Sequence, residues 1–197
     1  AFLASGIEGI KVRLTARADT ASDADALLDA EEAEVRAVLG SLVFSGRDEP
    51  MEAVVGRLLV ERGLSLAVAE SVTGGLVASR IVDVPGSSGW FRGGVVAYDS
   101  QVKYDLLGVP EGPVVTEAAA TAMADGVRRL CGADLGLSTT GVAGPTEQEG
   151  HRPGTVWLGV AIGDDVDAIQ ITLPGDRDRV RQMAVISLMD RLRRRLL

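Results

Sequence analysis

The sequence predicts an α/β fold: a three-layer α/β/α domain with a mixed sheet, preceded by a small β-α-β piece. Three observations predict it. From Met51 onward, short apolar runs alternate with stretches of helical periodicity. Near the end, two strand-like runs flank the turn Gly163-Asp164-Asp165 and read as an antiparallel hairpin. Alternating strands and helices that end in a hairpin imply a layered domain whose sheet is mixed.

The elements follow in order. Ile10, Val12, Leu14 and Ala16 alternate with Lys11, Arg13 and Thr15, so residues 7–16 read as a strand with one wet face. Residues 21–39 place Ala24, Leu27, Leu28, Val35 and Leu39 in a helical pattern, and Gly40 suits the helix end. Residues 41–44 read as a second short strand. A piece of about 45 residues is near the lower limit for independent stability. The polar, turn-like stretch from Gly46 to Pro50 marks the boundary, giving a first domain over 1–46 and a second over 47–197. Met51, Val54, Val55, Leu58 and Leu59 then recur at helical spacing up to Gly63. Residues 64–69 form an apolar run typical of a buried strand. Residues 74–82 read as a helix, 95–98 as a strand and 100–107 as a helix. Ala120, Met123, Val127 and Leu130 mark one face of a helix that begins near Thr116. A strand over 135–139, the hairpin over 155–173 and a closing helix carrying Val180, Met183, Ala184 and Leu188 complete the chain.

Composition narrows the function classes. Hydrophobic residues are 46% of the 197, enough for a core, but aromatics are only 4%, so packing rests on Ala, Val, Leu and Ile. A formal net charge of -8 repels phosphate backbones and argues against a nucleic-acid-binding face, though not against a small anion held by local cations. Cys131 is the single cysteine and His151 the single histidine, so neither a disulfide nor an ordinary zinc site is expected. No metal or other cofactor is expected. No apolar run approaches the roughly 20 residues of a membrane helix, and no signal peptide is visible. A cytoplasmic setting fits this cysteine usage. The chain opens on Ala1 within sequence that already reads as folded protein, which leads to the expectation of a piece of something longer.

The chemistry concentrates in a few loops. In Ala69-Glu70-Ser71-Val72-Thr73-Gly74-Gly75 a strand runs into hydroxyls and glycines before a helix starts. Backbone amides at such a helix start can bind an anion or an oxyanion, and glycine lets a substrate approach closely. The same composition also serves an ordinary helix N-cap. Pro85-Gly86-Ser87-Ser88-Gly89, Thr139-Thr140-Gly141-Val142-Ala143-Gly144-Pro145 and Leu173-Pro174-Gly175-Asp176-Arg177 are similar small-residue loops at element ends. In α/β proteins, sites gather at strand carboxyl ends. Tyr98 to Lys103 supplies a phenol and an amine, and Lys103 lies one turn inside a helix opening at Ser100. A lysine in a dry pocket can lose its proton and act as a base.

Taken together, these segments resemble the CinA family. Ala69 to Gly75, Gly86-Ser87-Ser88-Gly89-Trp90-Phe91, Tyr98 to Lys103, Thr140 to Pro145, Gly154-Thr155-Val156 and Gly175-Asp176-Arg177 occur in the order seen in CinA C-terminal domains, over about Met51 to Leu197. The resemblance implies a metal-independent amidohydrolase that converts nicotinamide mononucleotide (NMN) to nicotinic acid mononucleotide and ammonia in pyridine nucleotide salvage. It also implies that the first 46 residues are part of a KH-like linker domain. A pyrophosphatase-like N-terminal domain of the same protein would be missing, and a homo-oligomer is expected. The chain departs from the family pattern at Val72, where a cysteine is common, at Ser100-Gln101-Val102, and at Thr146 to Gly150, where Asp-Gly-Gly is usual.

On this reading Ser71 is the nucleophile, with Ser88 or a directly activated water as alternatives. Lys103 is the base, and Tyr98 assists. Amides at Thr73, Gly74 and Gly75 receive the oxyanion, while Ser87, Ser88, Thr140, Gly141 and Arg177 position the nucleotide. The competing class is a non-catalytic nucleotide-binding or regulatory module, in which the same loops bind phosphate without chemistry. A dimerisation scaffold is the third reading.

Overall fold

A computed structural model describes residues 1–4 and 9–197, which divide into two compact units, Ala1–Pro50 and Met51–Leu197. In the first unit β1 (Phe2–Ala4) pairs antiparallel with β2 (Ile10–Val12), and α1 (Ala21–Leu39) follows. Thr20 starts α1 by accepting a hydrogen bond from the Asp23 amide. The strand expected over 7–16 is present as β2, while Ile7 lies outside the described residues. No second strand forms after the helix. Gly40–Leu42 winds on as a 3-10 turn, closed by the Val43 amide on the Gly40 carbonyl, so the order is β-β-α rather than β-α-β. Four residues are too few for periodicity to tell a strand from a continuing turn.

The second unit matches the predicted layering. Its elements are α2 (Met51–Arg62), β3 (Leu66–Glu70), α3 (Leu76–Val82), β4 (Phe91–Val96), α4 (Ser100–Leu107), α5 (Glu117–Leu130), β5 (Leu135–Gly141), β6 (Thr155–Ile162), β7 (Asp165–Thr172) and α6 (Arg177–Arg195). The sheet order is β4-β3-β5-β6-β7. β3 is parallel to both β4 and β5, whereas β5-β6 and β6-β7 are antiparallel, which makes the sheet mixed. α4 and α5 cover one face, and α2, α3 and α6 pack together over the other.

Small side chains make this layering possible. Ala67, Ala69, Met123 and Val127 are fully buried between the sheet and α5. Gly136 and Gly159 let the helix lie directly on β5 and β6, because a Cβ at either position would strike the Ala124 or Ala120 carbonyl. On the other face, Arg80 of α3 makes a two-pronged ion pair with Glu52 of α2, at 3.1 and 3.0 Å, with side chains 10% and 7% exposed. Losing one partner of such a buried pair typically costs about 3–5 kcal/mol, because the other charge stays buried.

This topology fixes where a site can form. The chain leaves β3 for β4 on one side through α3, then returns to β5 on the other side through α4 and α5. The order therefore reverses at β3. The crevice outside the carboxyl ends of β3 and β5 is the switch point where ligands bind in open α/β sheets.

Candidate active site

A cavity of about 300 Å³ opens at that switch point. Ser71 and Val72 enter it from the end of β3, and Tyr98, Ser100 and Lys103 from the β4-α4 junction. Thr140 to Gly144 enter from the end of β5, and Arg177 from the start of α6. Val114, Val115, Thr146, Glu147 and Gln148 complete the wall.

Ser71 is held by its backbone. Its amide donates to the Thr139 carbonyl at 2.9 Å, and its carbonyl accepts from the Gly74 amide at 3.1 Å. Lys103 lies one turn into α4, whose N-cap Asp99 accepts from the Gln101 amide at 2.7 Å. Helical side chains lean toward the N-terminus, so the Lys103 ammonium reaches back to the carbonyls of Tyr98 and Asp99 at 3.3 and 3.5 Å. The residue is 1% exposed. Burial pushes its pKa below the ordinary lysine value, and the carboxylates of Asp99 and Glu149 pull it partly back.

Tyr98 ends the strand side of this junction with its phenol toward solvent, 60% exposed. The Arg177 guanidinium donates to the Tyr98 Oη at 2.6 Å and to the Gly144 carbonyl at 2.7 Å, so it ties the phenol to the β5-β6 loop. Among the described residues Arg177 has no carboxylate partner, though Glu147 lines the same cavity. Thr140 donates its hydroxyl to the Val114 carbonyl at 2.7 Å. Gly141 is a close approach, since a Cβ there would strike the Thr155 carbonyl.

Two expectations are corrected. The first concerns the amides of Thr73, Gly74 and Gly75. Glu70, 1% exposed, turns under the loop, and its carboxylate accepts from the Thr73 hydroxyl at 2.7 Å and the amides of Gly75, Val77 and Ala78 at 2.9, 3.0 and 2.8 Å. The start of α3 is thus already capped by an internal anion, and the Gly74 amide is spent on Ser71. Thr73 is fully buried, its hydroxyl also shared with Thr139 at 2.7 Å. None of the three lines the cavity.

The second correction concerns Ser87 and Ser88. They sit in the 3-10 turn Ser87–Gly89 that precedes β4. Because β4 runs parallel to β3, this turn lies at the opposite end of the sheet from the cavity, about 20 Å along the strand. Within one chain, neither serine reaches Lys103's cavity.

The sequence pointed to Val72, Ser100 and residues 146–148 only as departures within or beside the motifs, and it did not reach the wall residues Val114 and Val115. Only their neighbours in the motifs pointed to this end of the sheet.

The description "CinA C-terminal domain" belongs to the family that matches residues 48–196. A CinA-like protein from Frankia casuarinae is 49% identical over 201 residues, covering 100% of this chain and 46% of that relative. One from Dictyoglomus turgidum is 40% identical over 192 residues, covering 94% and 47%. The chain spans about half the length of the curated relatives it matches. Among solved structures, a CinA superfamily protein from Klebsiella pneumoniae is similar at TM-score 0.72 and 30% identity, covering 74% of this chain and 95% of the other. Another, from Escherichia coli, is similar at TM-score 0.71 and 27% identity, covering 79% and 97%.

Proposed function

The chain belongs to the CinA family, through a C-terminal domain that occupies residues 48–196, and from that premise we propose that it hydrolyses the carboxamide of NMN to nicotinic acid mononucleotide and ammonia. The observation that carries this reading is the meeting of Ser71, from the end of β3, with Tyr98 and a buried Lys103, from the β4-α4 junction, in one cavity.

The chemistry follows from what each group can do. A serine hydroxyl is a weak nucleophile until a base takes its proton. Lys103, whose pKa burial lowers, removes that proton in its neutral form as the Ser71 Oγ bonds to the carboxamide carbon. The carbonyl oxygen becomes an oxyanion. With the Gly74 and Gly75 amides engaged elsewhere, the amide of Val72, a residue that follows the nucleophile and lines the cavity, would receive it. The C–N bond then breaks. The proton held by Lys103 passes to the leaving nitrogen, with Tyr98 assisting, and ammonia departs. Water cleaves the acyl-serine and returns the hydroxyl proton.

The ribose phosphate needs an anchor, and Arg177 brings to the cavity rim a guanidinium unpaired with any carboxylate among the described residues. Arg177→Ala should raise KM for NMN by about tenfold or more, as expected for the loss of charge-assisted hydrogen bonds. The phosphate-free nucleoside should be affected far less. Equal losses on both substrates would remove Arg177 from the anchor role and point to its hold on Tyr98 instead.

A further inference from the structure

One side chain behind this cavity acts on Lys103 through its charge without lining the cavity, and it also joins two of the cavity's walls. Glu149 follows the wall residues Thr146, Glu147 and Gln148. Its Oε2 accepts the amides of Val114 at 2.9 Å and Val115 at 2.8 Å, and those two residues form another part of the wall. The carbonyl of Val114 is held in turn by the Thr140 hydroxyl at 2.7 Å. The segment before α5 is therefore clamped from both sides, once by β5 and once by Glu149.

The backbone around Glu149 is built to present it. Gln148 and His151 exchange amide-carbonyl hydrogen bonds at 3.2 and 2.8 Å, closing a two-residue hairpin turn. Glu149 and Gly150 occupy its centre with φ of 53° and 77°. Such turns favour glycine or asparagine at both central positions. Glu149 is the non-glycine residue with positive φ among the described residues. A glutamate is a poor choice for the turn itself, and a strained position of this kind persists where the surroundings over-determine it. Here the surroundings are two adjacent backbone amides that converge on one carboxylate oxygen, a strong charge-assisted arrangement.

We propose that Glu149 is a positioning residue that latches the 145–151 loop onto the Val114–Val115 segment, so that substrate binds in a cavity walled by the latched loop. The proposal rests on the deamidase reading for its substrate but on geometry alone for the latch.

Two variants separate the latch from the turn. Glu149→Gly relieves the backbone strain and removes the carboxylate. If the residue served only the turn, this variant would be at least as stable as the parent and would bind substrate as well. The latch predicts instead that amide exchange at Val114 and Val115, read by NMR or mass spectrometry, speeds up by about tenfold or more. It also predicts that KM for NMN rises about tenfold, while kcat stays within a few-fold when compared at high pH, where losing the Glu149 charge no longer alters the protonation of Lys103. Glu149→Gln, which keeps an acceptor oxygen, should recover most of both losses. Unchanged exchange in Glu149→Gly would overturn the latch. Faster exchange with unchanged KM would overturn the claim that the latched loop walls the substrate site. Faster exchange in a chain whose parent never releases ammonia from NMN would sink the deamidase reading and leave the latch standing.

Discussion

Replacing Ser71 by alanine should lower kcat on NMN by a factor on the order of 10⁴ or more, as removal of a covalent nucleophile does in serine hydrolases. The expectation follows from the placement of the residue. Its backbone is fixed on both sides, by the Thr139 carbonyl and the Gly74 amide, so the hydroxyl is presented from the end of β3 into the cavity at a set position. Alanine leaves those backbone bonds and the Glu70 cap untouched, so the fold and the affinity for NMN should survive. Stopped-flow measurement should show a burst of ammonia in the parent when deacylation is slow, and none in the variant. Activity retained within about tenfold would mean that a directly activated water attacks.

Lys103→Ala should lower kcat by roughly 10²–10⁴-fold, the usual contribution of general-base catalysis, with NMN still bound. Lys103→Arg should not rescue it, because a guanidinium stays protonated. The pH dependence has a definite sign. The working lysine must be neutral, so kcat rises with pH as its ammonium loses the proton. Burial lowers that pKa, which brings the acid limb of the profile below the ordinary lysine range, while Asp99 and Glu149 hold it higher than burial alone would. Asp99→Asn keeps an N-cap acceptor for Gln101 but removes a negative charge, so the acid limb should move to lower pH. A profile unmoved by Asp99→Asn, or near-full activity in Lys103→Arg, would make Lys103 a charge anchor. The base would then be sought at Tyr98 or water.

Much of this was legible in the sequence for a physical reason. Buried parallel strands leave continuous apolar runs such as residues 66–69, and helices leave 3.6-residue periodicity, so the layers could be read without coordinates. Lys103 was legible because one helical turn after Ser100 sets the direction of its side chain. The rest depended on tertiary placement. Glu70 directly precedes Ser71, but the sequence could not say that its carboxylate would fill the start of α3. The Ser87-Ser88 loop resembles the others in composition, yet it precedes its strand whereas the Ser71 and Thr140 loops follow theirs. In a parallel pair that difference sends it to the opposite end. Glu149 was hidden because its role depends on contact with residues some 35 positions earlier.

The central claim is that this cavity performs amide hydrolysis rather than binding a nucleotide without chemistry. The most direct measurement is ammonia release from NMN by the purified chain, coupled to detection of nicotinic acid mononucleotide, alongside a binding titration of the same preparation. Catalytic turnover with one ammonia per nicotinic acid mononucleotide is the predicted result. NMN bound by this chain with no ammonia released would contradict it and assign the cavity to a regulatory nucleotide-binding module.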